Sequence, residues 1–235
     1  MSAAALHGLP IWNEQLDRVH LTRNRQGQGK VRRYVHLHCT PIADADVVEV
    51  DGFRVTSLAR TVVDLASSLD ALHAVPIGDA ALRNGLRPEQ LAQLMDESGG
   101  RRGIAAARRS LALLDARSES PGESMSRVIF HQHRIPPPEP QLEVFSAPGR
   151  LVGRSDFGWR EQRTLGEFDG RSKYGRLLLQ PGQSPEQALF EEKRREDALR
   201  DLGWEMVRWI WADLFAPTQL LDRLTRAFAR GSRRA

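Results

Sequence analysis

Two alternating segments joined by a tight turn constrain this chain more than any other feature. Residues 151–159 read as a β-strand, and residues 163–169 read as its antiparallel partner. A turn at Glu161-Gln162 pairs Arg160 with Arg163, and that register sets Asp156 directly opposite Glu167. Directly opposed Cβ atoms lie about 5 Å apart, and like charges placed so are destabilising. Side chains at i and i+2 share a strand face, so Asp169 joins the two acids. Phe157, Trp159 and Phe168 fall on the other face, in agreement with the same register. A cation would neutralise the three carboxylates, and an all-oxygen cluster suits Mg²⁺ or Mn²⁺.

The order of elements around this hairpin divides the chain near residues 115–122, into an α/β region at 1–116 and a second domain at 117–235. Upstream, residues 18–22 and 33–38 alternate like short strands, separated by the turn-rich stretch 24–29. Asp51-Gly52, between two apolar runs, is a two-residue hairpin signal. Leu58, Val62, Leu65 and Leu69 recur at i, i+4, i+7 and i+11, one buried helix stripe. Further helices are expected from about Ile77 to Leu114, broken at Asn84-Gly85 and Gly99-Gly100. Downstream the expected order is helix, three strands, helix, strand, helix. Ser120-Pro121-Gly122-Glu123 opens the first of these helices with a capping box and a proline at its first position. A loop at 170–183 follows the hairpin, and Ser184-Pro185-Glu186-Gln187 caps the next helix. An apolar strand at 204–211 precedes a last helix that begins at Pro217. The class is α/β, of the α+β kind.

An acid pair beside a cation is what phosphodiester hydrolysis requires. A metal ion polarises the phosphate and lowers the pKa of its bound water. A lysine can orient that water or steady the charge developing on the phosphate oxygens. Asp156 and Glu167 are the expected metal ligands, with Asp169 assisting and the Phe168 carbonyl as a third ligand. Lys173 and Lys193 are the candidate catalytic cations, and Glu123 is a candidate acid. Plainer readings stand beside these. The three acids could form an exposed strand face with arginine partners such as Arg154. Glu123 could be a capping residue only. The charged run 191–197 could be a solvated helix surface with Glu191–Arg195 and Lys193–Asp197 paired at i, i+4. Trp204, Trp209 and Trp211 read as core.

Composition narrows the partners. At 235 residues, the net charge is +4 and the isoelectric point about 9.8, because only Lys30, Lys173 and Lys193 stand among 34 basic residues. Arginine supplies the rest and stays charged at any accessible pH. Such a surplus is compatible with nucleic-acid binding. No apolar run approaches the ~20 residues needed to span a bilayer. The amino terminus lacks the basic start and long apolar stretch of a secretory signal. Cys39 is the single cysteine, so a disulfide within the chain is impossible and a cytoplasmic setting is expected. His36, His38 and Cys39 lack a second cluster at ligand spacing, so they read as alternating strand positions and not as a zinc site.

From about residue 120 to 228 the chain resembles the very-short-patch-repair-like endonuclease domains of the PD-(D/E)XK superfamily, including the domain-of-unknown-function 559 type. The residues that carry the likeness are Ser120-Pro-Gly-Glu-Ser124, Gly153-Arg-Ser-Asp-Phe-Gly-Trp159, Gly166-Glu-Phe-Asp-Gly170, Glu192-Lys-Arg-Arg-Glu-Asp-Ala-Leu-Arg200 and Leu202-Gly-Trp-Glu-Met-Val-Arg-Trp-Ile-Trp211. The resemblance implies a restriction-endonuclease-like mixed sheet flanked by helices, a divalent metal and nucleic-acid cleavage. Val55-Thr-Ser-Leu-Ala-Arg-Thr-Val-Val-Asp-Leu65 is similar to AbiEi-type antitoxin proteins. Members of that group begin with a winged helix, and this chain is expected to start after it. Where the superfamily places lysine two residues after the acid, this chain has Asp169, so the lysine role falls to Lys173 or Lys193 or is lost.

The expected function is a Mg²⁺- or Mn²⁺-dependent nuclease acting on nucleic acid, DNA foremost. The alternative is a catalytically inactive DNA-binding regulator or antitoxin of a toxin–antitoxin or phage-defence system, with a toxin as partner.

Overall fold

The computed structural model describes residues 1–12, 16–170 and 184–233. Lys173, and the expected loop beyond Gly170, lie outside the described residues. The chain falls into two compact units, Met1–Ser124 and Met125–Ala235.

The first unit opens with helix α1 (Ser2–Leu6) and a three-stranded sheet of β1 (Val19–Arg23), β2 (Lys30–Val31) and β3 (Val35–Cys39). Its order is β1-β3-β2, with β1 parallel and β2 antiparallel to the central strand. Next come β4 (Val47–Val50) and β5 (Phe53–Thr56), an antiparallel hairpin. Asp51 and Gly52 sit at φ 51° and 78°, the left-handed conformation that a two-residue hairpin turn demands.

Four helices follow: α2 (Leu58–Ala66), α3 (Ala71–Arg83), α4 (Pro88–Glu97) and α5 (Ile104–Leu111). Ser57 caps α2 by accepting from the Arg60 N–H, and Val62 and Leu65 are buried as the stripe requires. Leu69 lies beyond the end of α2 yet still packs on the same core. Helix α3 starts earlier than the expected Ile77, before Pro76. Asp70 caps it by accepting from the His73 N–H, and burial of Ala74 and Val75 outweighs the hydrogen bond that proline removes.

Helix α6 (Pro121–Gln132) spans the division between the units. The second unit then holds β6 (Glu139–Ala147), β7 (Arg150–Trp159), β8 (Thr164–Asp169), α7 (Pro185–Asp201), β9 (Glu205–Ile210), α8 (Trp211–Phe215) and α9 (Thr218–Gly231). Its sheet has the order β6-β7-β8-β9, antiparallel except for the parallel pair β8 and β9. The fold is therefore mixed α/β, with the expected mixed sheet and flanking helices in this unit.

On one sheet face Leu142, Val144 and Leu165 pack with Leu199 of α7 and Trp204. On the other, Phe130 stands edge-on to Phe157, Trp159 and Trp209, and Phe228 of α9 closes over Trp159. The indole N–H of Trp209 donates to Ser126 Oγ (2.8 Å) and that of Trp159 to the Pro136 carbonyl (2.7 Å), so both rings are buried with their polar atoms satisfied. Trp204 and Trp209 are core, as their apolar setting suggests. Trp211 instead begins α8, where the Asp213 carboxylate accepts from the Ile210 N–H and ends the strand.

Gly158 has no room for a side chain. A Cβ there would stand 2.7 Å from Leu142 Cβ, so two strands approach more closely than any other residue allows. Gly158→Ala should destabilise the protein by about 1–3 kcal/mol through overpacking. Urea unfolding checks this, and an unchanged midpoint would mean that Leu142 can move aside.

Candidate functional site

The β7–β8 hairpin has the register read from the sequence, with Trp159↔Thr164, Gly158↔Leu165 and Phe157↔Gly166 and a turn closed by Arg163 N–H to Arg160 O (3.1 Å). The main-chain pairing stops there. Beyond it side chains take over the work of the ladder: Ser155 Oγ donates to the Gly166 carbonyl (2.8 Å), and Asp156 Oδ2 accepts from the Phe168 N–H (2.8 Å). The two strands thus open into a fork, with Asp156 and Glu167 at the next register step on either arm. Asp169 is exposed at the end of β8.

Glu167 is well covered, with 17% of its side chain exposed, and both its oxygens are engaged. Arg195 donates to Oε1 at 2.6 Å and Arg208 to Oε2 at 2.8 Å. Arg208 is its register partner on β9, so parallel pairing alone places the two side by side. Arg195 comes from α7. Ser184 and Gln187 cap that helix reciprocally, with Pro185 at the first turn. Glu192, Arg195, Glu196 and Leu199 then recur at helical spacing and share one face.

Glu192 binds Arg195 through both oxygens (2.7 and 2.9 Å) and also meets Arg208. Glu196 links Arg208 (3.0 Å) to Arg200 (2.6 Å). Arg195 further donates to the Arg154 carbonyl at 3.1 Å, and Gly153 leaves space for its stem, since a Cβ there would press on it at 3.2 Å. Glu167, Glu192 and Glu196 are thus interlocked with Arg195, Arg200 and Arg208.

The protonation states follow. A hydrogen bond from Arg195 holds the Glu192 carboxyl below its ordinary value, against the opposing effect of burial. Hydrogen bonding to Glu192, and then to Glu167, keeps Arg195 above its own ordinary value despite burial. Burial works against the charge of Arg208, but the charge of Glu167 and its neighbours outweighs it and raises the pKa.

The sequence-derived residues separate in this geometry. Asp156 and Glu167 stand one register step beyond the last paired residues, Asp156 bonded to the Phe168 N–H and Glu167 to two arginines, whereas Lys193 is exposed on α7 and the helix turns Arg195 toward Glu167 instead. The pairing within the charged run is Glu192–Arg195 at i, i+3 and not Glu191–Arg195. Glu123 is buried and closes a capping box: the Ser120 hydroxyl donates to its Oε1 (2.7 Å), the Glu119 N–H donates to its Oε2 (2.8 Å), and its own N–H donates to Ser120 Oγ (3.2 Å). Arg195 and Arg208 are the site residues that sequence reasoning missed. The signal for Arg195 was its place three residues from Glu192, and the signal for Arg208 was visible only once β8 and β9 were aligned.

Among the described residues, the group of three or more side chains close enough to share a metal ion is formed by three histidines of the first unit. His20 on β1 and His36 on β3 are register partners, and His38 shares the face of His36. His20 Nδ1 lies 3.1 Å from His38 Nε2. Burial pushes the His20 imidazole down to about 4, helped by the amino terminus and the two neighbouring rings. Burial and His36 lower His38 in the same way.

Two proteins of Mycobacterium tuberculosis, the uncharacterized proteins MT2308 and Rv2248, are each 30% identical to this chain over 203 residues, covering 86% of it and 71% of their own length. No family model and no solved structure matches the chain. The chain belongs to the family that these mycobacterial proteins represent.

The lowered Glu192 carboxyl has a consequence for acid stability. Its contribution is fully present above its unfolded value of 4.5 and is lost as pH falls through the lowered folded value. The denaturation midpoint of the second unit should therefore hold steady above about pH 5 and fall below 4.5. Arg195→Met should flatten that fall and Lys193→Met should leave it alone; equal slopes in all three proteins would remove Arg195 from its role.

Proposed function

We propose that this chain, as a member of that family, is a nucleic-acid-binding regulator or antitoxin built on a nuclease-type framework whose Glu167 is held by two arginines. The observation that carries this reading is the engagement of both Glu167 oxygens by Arg195 and Arg208. A magnesium-sized ion needs those oxygens, which two guanidiniums already hold. Asp156 likewise spends one oxygen on a backbone N–H.

Support for nucleic acid as the partner comes from the first unit. Between Arg18 and Ala43 the chain carries Arg18, Arg23, Arg25, Lys30, Arg32 and Arg33 and no acid. Residues 21–34 are exposed along the edge of the small sheet, with Arg33 over the Tyr34 ring at 5.0 Å. Phosphates are attracted to such a strip, and an exposed tyrosine beside arginine is suited to stacking on a base.

A second reading is favoured by the fork itself. Asp156 and Glu167 stand at opposed positions where two strands part, the arrangement a metal-dependent nuclease uses, and Mg²⁺ or Mn²⁺ bound there would supply an activated water. Asp169 would lie alongside, and the cation on the phosphate would be Arg195.

One set of measurements on the full chain separates the two. On the first reading, plasmid DNA stays intact with Mg²⁺, calorimetry with Mn²⁺ gives no saturable heat at the acids, and a DNA gel shift persists in Asp156→Ala. Affinity should drop by about 10³-fold between roughly 50 and 200 mM salt if the six cations meet phosphates. Arg32→Glu with Arg33→Glu should weaken binding at all sequences alike. Cleavage by the wild type that Asp156→Ala abolishes would hand the assignment to the hydrolytic reading.

A further inference from the structure

We infer that His20, His36 and His38 form a binding site for a zinc-class transition-metal ion, independent of the acids of the second unit. The parallel pairing of β1 with β3 sets His20 beside His36, and the two-residue repeat of a strand sets His38 on the same face. The ring centroids stand 4.0 to 5.2 Å apart, and one nitrogen from each ring lies within 4.8 Å of the other two. Zn–N bonds of about 2.0–2.1 Å put tetrahedral ligand atoms about 3.3 Å apart. His20 Nδ1 and His38 Nε2 are already at 3.1 Å.

The donor set identifies the ion. Three imidazoles suit Zn²⁺, Ni²⁺ or Cu²⁺ and offer nothing to Mg²⁺, which takes oxygen. Three protein ligands also leave a fourth position for water or a substrate atom, as in sites where zinc acts on a bound molecule. All three rings are half-buried, so a bound ion would be shielded on one side and open on the other. Its structural effect would be to clip β1 to β3 across the turn-rich residues 24–29. Cys39 follows His38 directly, so it points to the opposite face and is not a ligand.

The test uses the untagged full chain titrated with Zn²⁺ by calorimetry and with Co²⁺ by visible absorption. One equivalent of each should bind, with the Co²⁺ spectrum of a four-coordinate nitrogen site. His20→Gln, His36→Gln and His38→Gln should each weaken binding by more than about 10-fold. Cys39→Ser and Asp156→Ala should leave it unchanged. Should a glutamine variant fail to fold by circular dichroism, histidine modification of the wild type read by mass spectrometry replaces it: Zn²⁺ should protect these three rings and not His73. Absence of saturable binding, binding that survives all three substitutions, or loss in Cys39→Ser would overturn the site. None of these outcomes depends on Mn²⁺ binding, cleavage or the gel shift, so the two proposals fail separately.

Discussion

The parallel alignment of β8 with β9 places Glu167 against Arg208, and the polar half of the second unit is organised around that pair. A carboxylate on the covered face of a sheet is costly unless its charge is matched and its oxygens are bonded. Arg208 satisfies one oxygen, and α7 must supply the other cation. It does so with Arg195, whose own charge is balanced by Glu192 one turn earlier. Glu196 and Arg200 extend the chain of pairs toward solvent. Further along the same helix stripe, Leu199 packs on Leu142 and Leu165. One helix face is therefore ionic at one end and apolar at the other, matching a sheet that is polar where the strands part and apolar where they are joined.

The parting of β7 and β8 is itself built from side chains. Main-chain pairing ends at Phe157↔Gly166, yet the next polar groups are not abandoned, because Ser155 and Asp156 bond to the backbone of β8 in its place. Below the fork, the stacked Phe157 and Trp209 and the edge-on Phe130 hold the strands rigidly together. The tightness at Gly158 and Gly166 shows how little slack remains, since a Cβ at Gly166 would meet the Trp209 ring at 2.6 Å. A rigid base and an open fork give fixed positions to the side chains on either arm.

Local signals in the sequence were sufficient for this much. Arg160 and Arg163 around a two-residue turn define the hairpin register, Ser120 and Ser184 mark helix starts, and Asp51-Gly52 marks a hairpin, because each depends on neighbours a few residues away. What escaped was long-range. Arg195 reaches Glu167 across 28 positions and Arg208 reaches it across 41, through a helix whose charged residues give no apolar stripe to orient it. The histidines escaped for the same reason. His36 and His38 alone make a pair, and His20 joins them only because β1 lies parallel to β3 instead of forming a hairpin with it. The start of α3 was hidden by Pro76, whose local meaning was overridden by the Asp70 cap and by burial.

The two polar clusters differ in what an incoming ion must displace. At the histidines it replaces one hydrogen bond between uncharged-capable rings. At Glu167 it must take the place of guanidiniums, and any that remained about 4 Å away would oppose a divalent ion by roughly 8 kcal/mol at an effective dielectric of 20. That repulsion vanishes only if negative charge enters as well. A phosphate diester is such a charge, and Arg195 and Arg208, once turned from Glu167, are the donors that would receive it bidentately. On the hydrolytic reading, an ion at the acids and a phosphate on the arginines would therefore have to arrive together.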